Sequence, residues 1–170
     1  MKKVRRLIGA MLISCMALSI SAGAIKTVEN LGTPDQIGWE DAHGTDVMVA
    51  RSTRALDPLC SLYASSVSNL LVSSSEKMIS RSDLTNGYLR MSGTLTNSKN
   101  SQKIKVGLCH YDTLTGTYVA DLEKYLPSGE WGAVSWPKSE VPIFDRFVYI
   151  KNTSGTGTVS GDLFVYNADW

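Results

Sequence analysis

A period of two governs the C-terminal two thirds of this chain. Residues 88–96 set Tyr88, Arg90, Ser92 and Thr94 against Leu89, Met91, Gly93 and Leu95. Residues 103–111 set Ile104, Val106 and Leu108 against Lys103, Lys105, Gly107 and Cys109. Successive side chains of a strand point to opposite faces, so this alternation predicts half-buried strands with Leu89, Met91, Leu95, Ile104, Val106 and Leu108 turned inward. Further candidate strands fall at 117–120, 131–136, 144–151 and 158–166. Between them lie turn formers: 97–102, Asp112-Thr113-Leu114-Thr115-Gly116, Pro127-Ser128-Gly129 and 152–157.

The preceding stretch is less regular. Residues 61–82 hold nine serines threaded with Leu62, Val67, Leu70, Leu71, Val72, Met78 and Ile79. Serine hydroxyls compete for backbone groups and disfavour helix interiors, so two strands are expected here, near 62–72 and 76–82. Only 120–126, where Leu122 and Tyr125-Leu126 recur at helical spacing, reads as a helical turn.

Short strands with Gly, Asn and Ser turns predict an all-β domain over residues 59–170. The expected form is a single β-sandwich of about eight short strands, jelly-roll or immunoglobulin-like. The spacing does not choose between the two. An outer-membrane barrel is the all-β rival, but its strands need ~9–11 residues with an apolar outer face, and here Lys103 and Lys105 oppose the apolar face.

Residues 25–58 read as an irregular N-terminal arm, rich in turn signals and poor in apolar residues, with one short element expected at 46–51. Ahead of it, Lys2, Lys3, Arg5 and Arg6 precede an uncharged apolar run and then Ser21-Ala22-Gly23-Ala24. That order is a secretory signal peptide over residues 1–24, with cleavage expected after Ala24. Leu12-Ile13-Ser14-Cys15 resembles a lipobox, but the apolar run continues past Cys15, which favours the later cut. A short basic signal of this kind suits a secreted bacterial protein, extracellular or in the cell envelope, whose membrane contact is the export signal alone.

Removing the signal reverses the charge. The full chain carries a formal +1, but four of its 17 Lys and Arg lie in the signal and all 16 acids follow it, leaving about −3. A mildly acidic protein offers no electrostatic footprint for nucleic acid or anionic lipid. Two cysteines remain, Cys60 and Cys109, and an even count in an exported chain predicts a disulfide between them. Closing that loop would contribute about 4 kcal/mol on the chain-entropy model.

Catalytic constellations are scarce. Cys109-His110-Tyr111-Asp112 groups nucleophile, base and acid types, but neighbours on a strand face opposite ways and do not meet as a triad. Asp35, Glu40, Asp41, His43 and Asp46 form an acidic cluster in the arm that matches no EF-hand spacing. Glu123 and Glu130 are carboxylates without a reason to face each other. No P-loop, dinucleotide fingerprint, G-x-S-x-G or zinc spacing occurs, so no cofactor, metal or catalytic residue is assigned.

Aromatic rings are the remaining lead. Trp131 and Trp136 differ by five, so on one strand they face opposite sides, and Tyr111 and Tyr118 flank a hairpin. Rings exposed on a sandwich suit the C–H faces of sugars, although buried Trp and Tyr dominate small β cores. The expected function is a secreted, non-catalytic β-sandwich that binds an extracellular glycan or surface protein through Trp131, Trp136, Tyr111 and Tyr118. The alternatives are a structural or adhesion component of the cell envelope, and a small hydrolase or toxin using His110, Asp112 or the glutamates.

Overall fold

In the computed structural model, residues 29–37, 56–85, 87–99, 104–126 and 131–169 are described. Their regular structure is strand throughout, apart from three 3-10 turns at Ser75–Lys77, Arg81–Asp83 and Lys138–Glu140. Eleven strands occur: β1 (Asn30–Gly32), β2 (Gln36–Ile37), β3 (Leu56–Val67), β4 (Leu70–Val72), β5 (Tyr88–Gly93), β6 (Thr96–Asn97), β7 (Ile104–Asp112), β8 (Thr117–Tyr125), β9 (Gly132–Pro137), β10 (Phe147–Asn152) and β11 (Val159–Ala168). They form two sheets, one ordered β1-β8-β7-β10-β4-β2 and the other β3-β11-β5-β9, with β6 added beside β11. All pairs are antiparallel except β2 with β4.

The pairing is nested. β7 pairs β8, β5 pairs β9, β4 pairs β10 and β3 pairs β11. These eight strands therefore behave as one extended hairpin, closed at the 113–116 turn, with its pairs alternating between the sheets. The alternating positions meet in the middle: Leu62, Leu89, Met91, Leu163 and Val165 from one sheet join Ile104, Val106, Leu108, Leu122, Val148 and Ile150 from the other in one buried cluster. Every residue expected to point inward from 88–96 and 104–108 is fully buried.

Four expectations are corrected. Residues 120–126 are not a helical turn, because β8 runs through them to Tyr125 and its ladder with β7 outweighs a weak helical spacing. The 62–72 segment is two strands broken at Ser68 and Asn69, and 76–82 is no strand but two 3-10 turns around an isolated Ile79–Arg146 bridge. The second turn is closed by a capping box in which the Ser80 N–H donates to Asp83 at 2.7 Å. That local satisfaction competes with strand formation. The arm is not irregular throughout either, since 30–32 and 36–37 are strands and β3 begins at Leu56, inside the 25–58 boundary. Residues 1–24 and 46–51 lie outside the described residues.

The arm closes the first sheet. β1 forms one edge and β2 the other, yet only Thr33, Pro34 and Asp35 separate them in the chain. Six strands laid flat would hold their outer pair about 24 Å apart at ~4.8 Å spacing. The chain from Gly32 to Gln36 reaches at most about 14 Å, so the sheet has to curl. Its outer face thereby becomes concave and buries a second cluster of Leu31, Leu70, Val72, Cys109, Tyr118, Ala120 and Tyr149. Gly107 faces this curl, and a Cβ there would lie 1.8 Å from the Leu122 carbonyl oxygen, so β7 and β8 approach as closely as only glycine allows.

Candidate functional site

The sequence-derived aromatic residues separate into two places. Trp136, on β9, is 2% exposed and belongs to the core between the sheets, with the Lys124 ammonium 5.2 Å from its ring. Trp131 immediately precedes β9 and is 41% exposed. It stacks on Phe164 with ring centroids 5.6 Å apart and planes 21° from parallel. Phe164 points away from the core, since its neighbours Leu163 and Val165 point into it. Trp131 thus lies flat on the outer face of the second sheet, one ring face against Phe164.

Tyr111 and Tyr118 face each other across the β7–β8 hairpin, their rings edge-on at 5.2 Å. Tyr118 in turn meets Phe147 edge-on at 5.6 Å and is nearly buried, whereas Tyr111 is exposed. This second group lies on the outer face of the curled sheet, so the four residues make no single platform. Only Trp131 and Tyr111 present ring surface to solvent; Trp136 and Tyr118 are packing residues.

The disulfide expected between Cys60 and Cys109 is not formed, and both are free thiols. Cys60 packs against the cluster between the sheets, while Cys109 is buried in the cluster on the far side of β7. Burial pushes the Cys60 thiol up to about 12 and raises Cys109 as well, with the nearby Asp121 carboxylate adding to the latter. Thiols held protonated in this way are poor nucleophiles.

Two polar clusters were not legible in the sequence. In the first, His110 Nδ1 lies 2.9 Å from Asp121 Oδ2, which also forms an ion pair with Arg146, Nε 2.7 Å away. A register shift between Leu108 and Cys109 leaves Asp121 without a Cα partner, and such a bulge re-aims the extra residue. Asp112, the neighbour that suggested a triad, is engaged elsewhere: it accepts from the Leu114 N–H at 2.9 Å and the Thr115 hydroxyl at 2.8 Å. Those bonds hold its carboxyl below the usual range.

In the second cluster Lys105 bonds both Glu29 and Glu123, and the Tyr149 hydroxyl sits 3.5 Å from Glu123. Partial burial alone would raise both carboxyls. The Lys105 hydrogen bond overrides it at Glu29, which is lowered, while burial and the adjacent Glu29 leave Glu123 raised. Burial likewise raises the Tyr149 hydroxyl, with Glu123 adding to it. This cluster fastens the arm: the Ala120 N–H donates to the Glu29 carbonyl at 2.9 Å and Lys151 Nζ to the Leu31 carbonyl at 2.8 Å. Its only sequence signal was Lys105 on a polar strand position, since Glu123 fell in the expected helical turn and Glu29 is distant in the chain.

Of the acidic arm cluster only Asp35 falls in the described residues, and Glu130 lies outside them. Among the described residues no three His, Cys, Asp or Glu side chains are grouped to hold a metal ion, and no helix is long and apolar enough to cross a membrane. No protein-family model, curated protein or solved structure matches the chain.

Proposed function

We propose that this chain is an exported, non-catalytic jelly-roll sandwich that binds an extracellular ligand, a glycan or cell-surface polymer, through the ring of Trp131. The strand order supports the jelly roll over the immunoglobulin alternative. Counting the eight strands of the four nested pairs from β3, one sheet runs first-eighth-third-sixth and the other fifth-fourth-seventh-second. That is the order of a long hairpin rolled into two Greek keys. An immunoglobulin sandwich instead divides its strands ABED and CFG. Export is supported by the basic, apolar and small-residue order of residues 1–24.

The observation that carries the binding reading is the Trp131–Phe164 stack. Phe164 supports one ring face and fixes its tilt, so a ligand meets a flat, pre-positioned apolar surface. A sugar presents C–H groups to such a face, and little ordering entropy is lost on binding. The non-catalytic reading is supported by thiols held protonated and by an Asp112 carboxylate occupied in its own turn.

Glycan-array and polysaccharide pull-down experiments on the secreted protein test this reading. Trp131→Ala is expected to weaken binding at least about tenfold, equivalent to roughly 1.4 kcal/mol. Tyr111→Ala, on the other sheet, serves as the comparison. Absence of glycan binding, or binding indifferent to Trp131→Ala, would leave the envelope-component alternative as the better account.

A further inference from the structure

The exposed apolar side chains are unevenly distributed. Of the seven large hydrophobic residues exposed among the described residues, four lie at one end of the curled sheet: Tyr111, Leu114, Ile143 and Phe144. Phe147 at the start of β10 pairs with Cys109 near the end of β7, so the 113–116 turn and the 141–146 connection leave the sheet side by side. Leu114 is 95% exposed at the tip of the first and Phe144 66% exposed on the second. Trp131 precedes β9 and the 3-10 turn at Lys138–Glu140 follows it, so the Trp131 platform sits at the opposite end.

Their exposure is built in. Around Leu114 the turn satisfies its own polar groups: Asp112 accepts from the Leu114 N–H and the Thr115 hydroxyl, and its carbonyl accepts from the Gly116 N–H at 2.8 Å. The connection bearing Ile143 and Phe144 is held from behind, where Arg81 donates through Nε to the Val141 carbonyl and through Nη2 to the Ser139 carbonyl, each at 2.8 Å. The Arg81 N–H also donates to the Pro142 carbonyl at 2.8 Å. Arg146 lies 6.0 Å from the Phe144 ring and is itself paired with Asp121. Apolar tips are thus held out by a scaffold whose polar groups need little from water.

We propose that this end of the molecule docks on the headgroup–acyl boundary of a neutral, zwitterionic lipid membrane, with Leu114, Ile143 and Phe144 inserted and Tyr111 at the interface. Leu114 stands on one connection and Ile143 and Phe144 on another, so they reach outward as separate tips. A fluid interface accepts such side chains singly, and burying them follows the same area rule as a core. A tyrosine with its ring among the lipids and its hydroxyl in the headgroups is at home there. Charge selects the lipid. Asp112 and Asp145 flank the tips, and the Arg146 guanidinium is paired with Asp121, so anionic headgroups are disfavoured. This contact is separate from the export signal and from the Trp131 platform.

The test is sedimentation of the full secreted protein with phosphatidylcholine vesicles at low and high salt. Binding is expected at both. The Leu114→Ser/Phe144→Ser variant is expected to lose at least about tenfold in partition, and Trp131→Ala to retain binding. Both substituted side chains are solvent-exposed, so the variant keeps the fold, which an unchanged melting curve confirms. As a second reading, Phe144→Trp is expected to show a blue-shifted emission on the same vesicles. No sedimentation of the unaltered protein overturns the proposal. So does binding that needs anionic lipid, or a dimer that the double substitution dissolves in the absence of lipid binding.

Discussion

Asn152 is a short polar side chain, 4% exposed, at the end of β10. Its amide donates to the Ser68 carbonyl at 3.0 Å and the Gly157 carbonyl at 2.9 Å, while its oxygen accepts from Asn97 Nδ2 at 2.8 Å and Ser154 Oγ at 2.7 Å. One residue therefore ties together three connections at the end of the molecule away from the apolar tips. Truncation would strand the buried Asn97 amide, at a cost of about 1–3 kcal/mol, and remove bonds to partly buried groups in 152–157. Asn152→Ala is accordingly expected to destabilise by about 2–4 kcal/mol, read as a lower urea midpoint with an unchanged slope. A change below about 0.5 kcal/mol would mean that water replaces the side chain. The sequence marked 152–157 as a turn, but nothing in it set Asn152 apart from the other turn residues. Its role comes from Asn97 and Ser68, which are remote in the chain.

The arm is the element that sequence reasoning undervalued. β1 and β2 amount to five residues and carry too few apolar positions to show a period. Their stability comes from edges supplied by β8 and β4 and from covering the concave face. Leu31, 1% exposed, is their contribution to the cluster that hides Cys109 and Tyr149. Leu31→Ala is expected to cost about 2–4 kcal/mol and to raise the rate at which a maleimide labels Cys109, while Cys60, in the other cluster, changes less. Mass spectrometry of the labelled peptides distinguishes the two thiols. Equal acceleration at both would indicate global unfolding instead of release of the arm. The 120–126 segment teaches the converse lesson, because its helical spacing was real but had no apolar stripe long enough to compete with the β7–β8 ladder.

For the whole molecule, topology sets the folding problem. β3 pairs with β11 and β4 with β10, so most stabilising contacts join residues far apart in sequence, and only the β7–β8 hairpin is local. Loop closure has to precede those contacts, which places refolding on the millisecond-to-second scale expected of all-β domains. Stopped-flow fluorescence of Trp136, buried between the sheets, reports the step. Complete recovery within about 100 μs would contradict the nested pairing. The alternation in residues 88–96 and 104–111 was enough by itself to determine strands, their inward faces and the all-β class, because pleating forces a period of two on any strand with one buried side. The same parity separated Trp131 from Trp136. Which strands pair, and therefore where Trp131 finds Phe164, how Asp121 reaches His110 and why the arm curls a sheet around Cys109, was decided by tertiary structure alone. Backbone hydrogen bonds are the same for every residue type, so a ladder's partner and register are selected only when the whole set of apolar faces closes on one another.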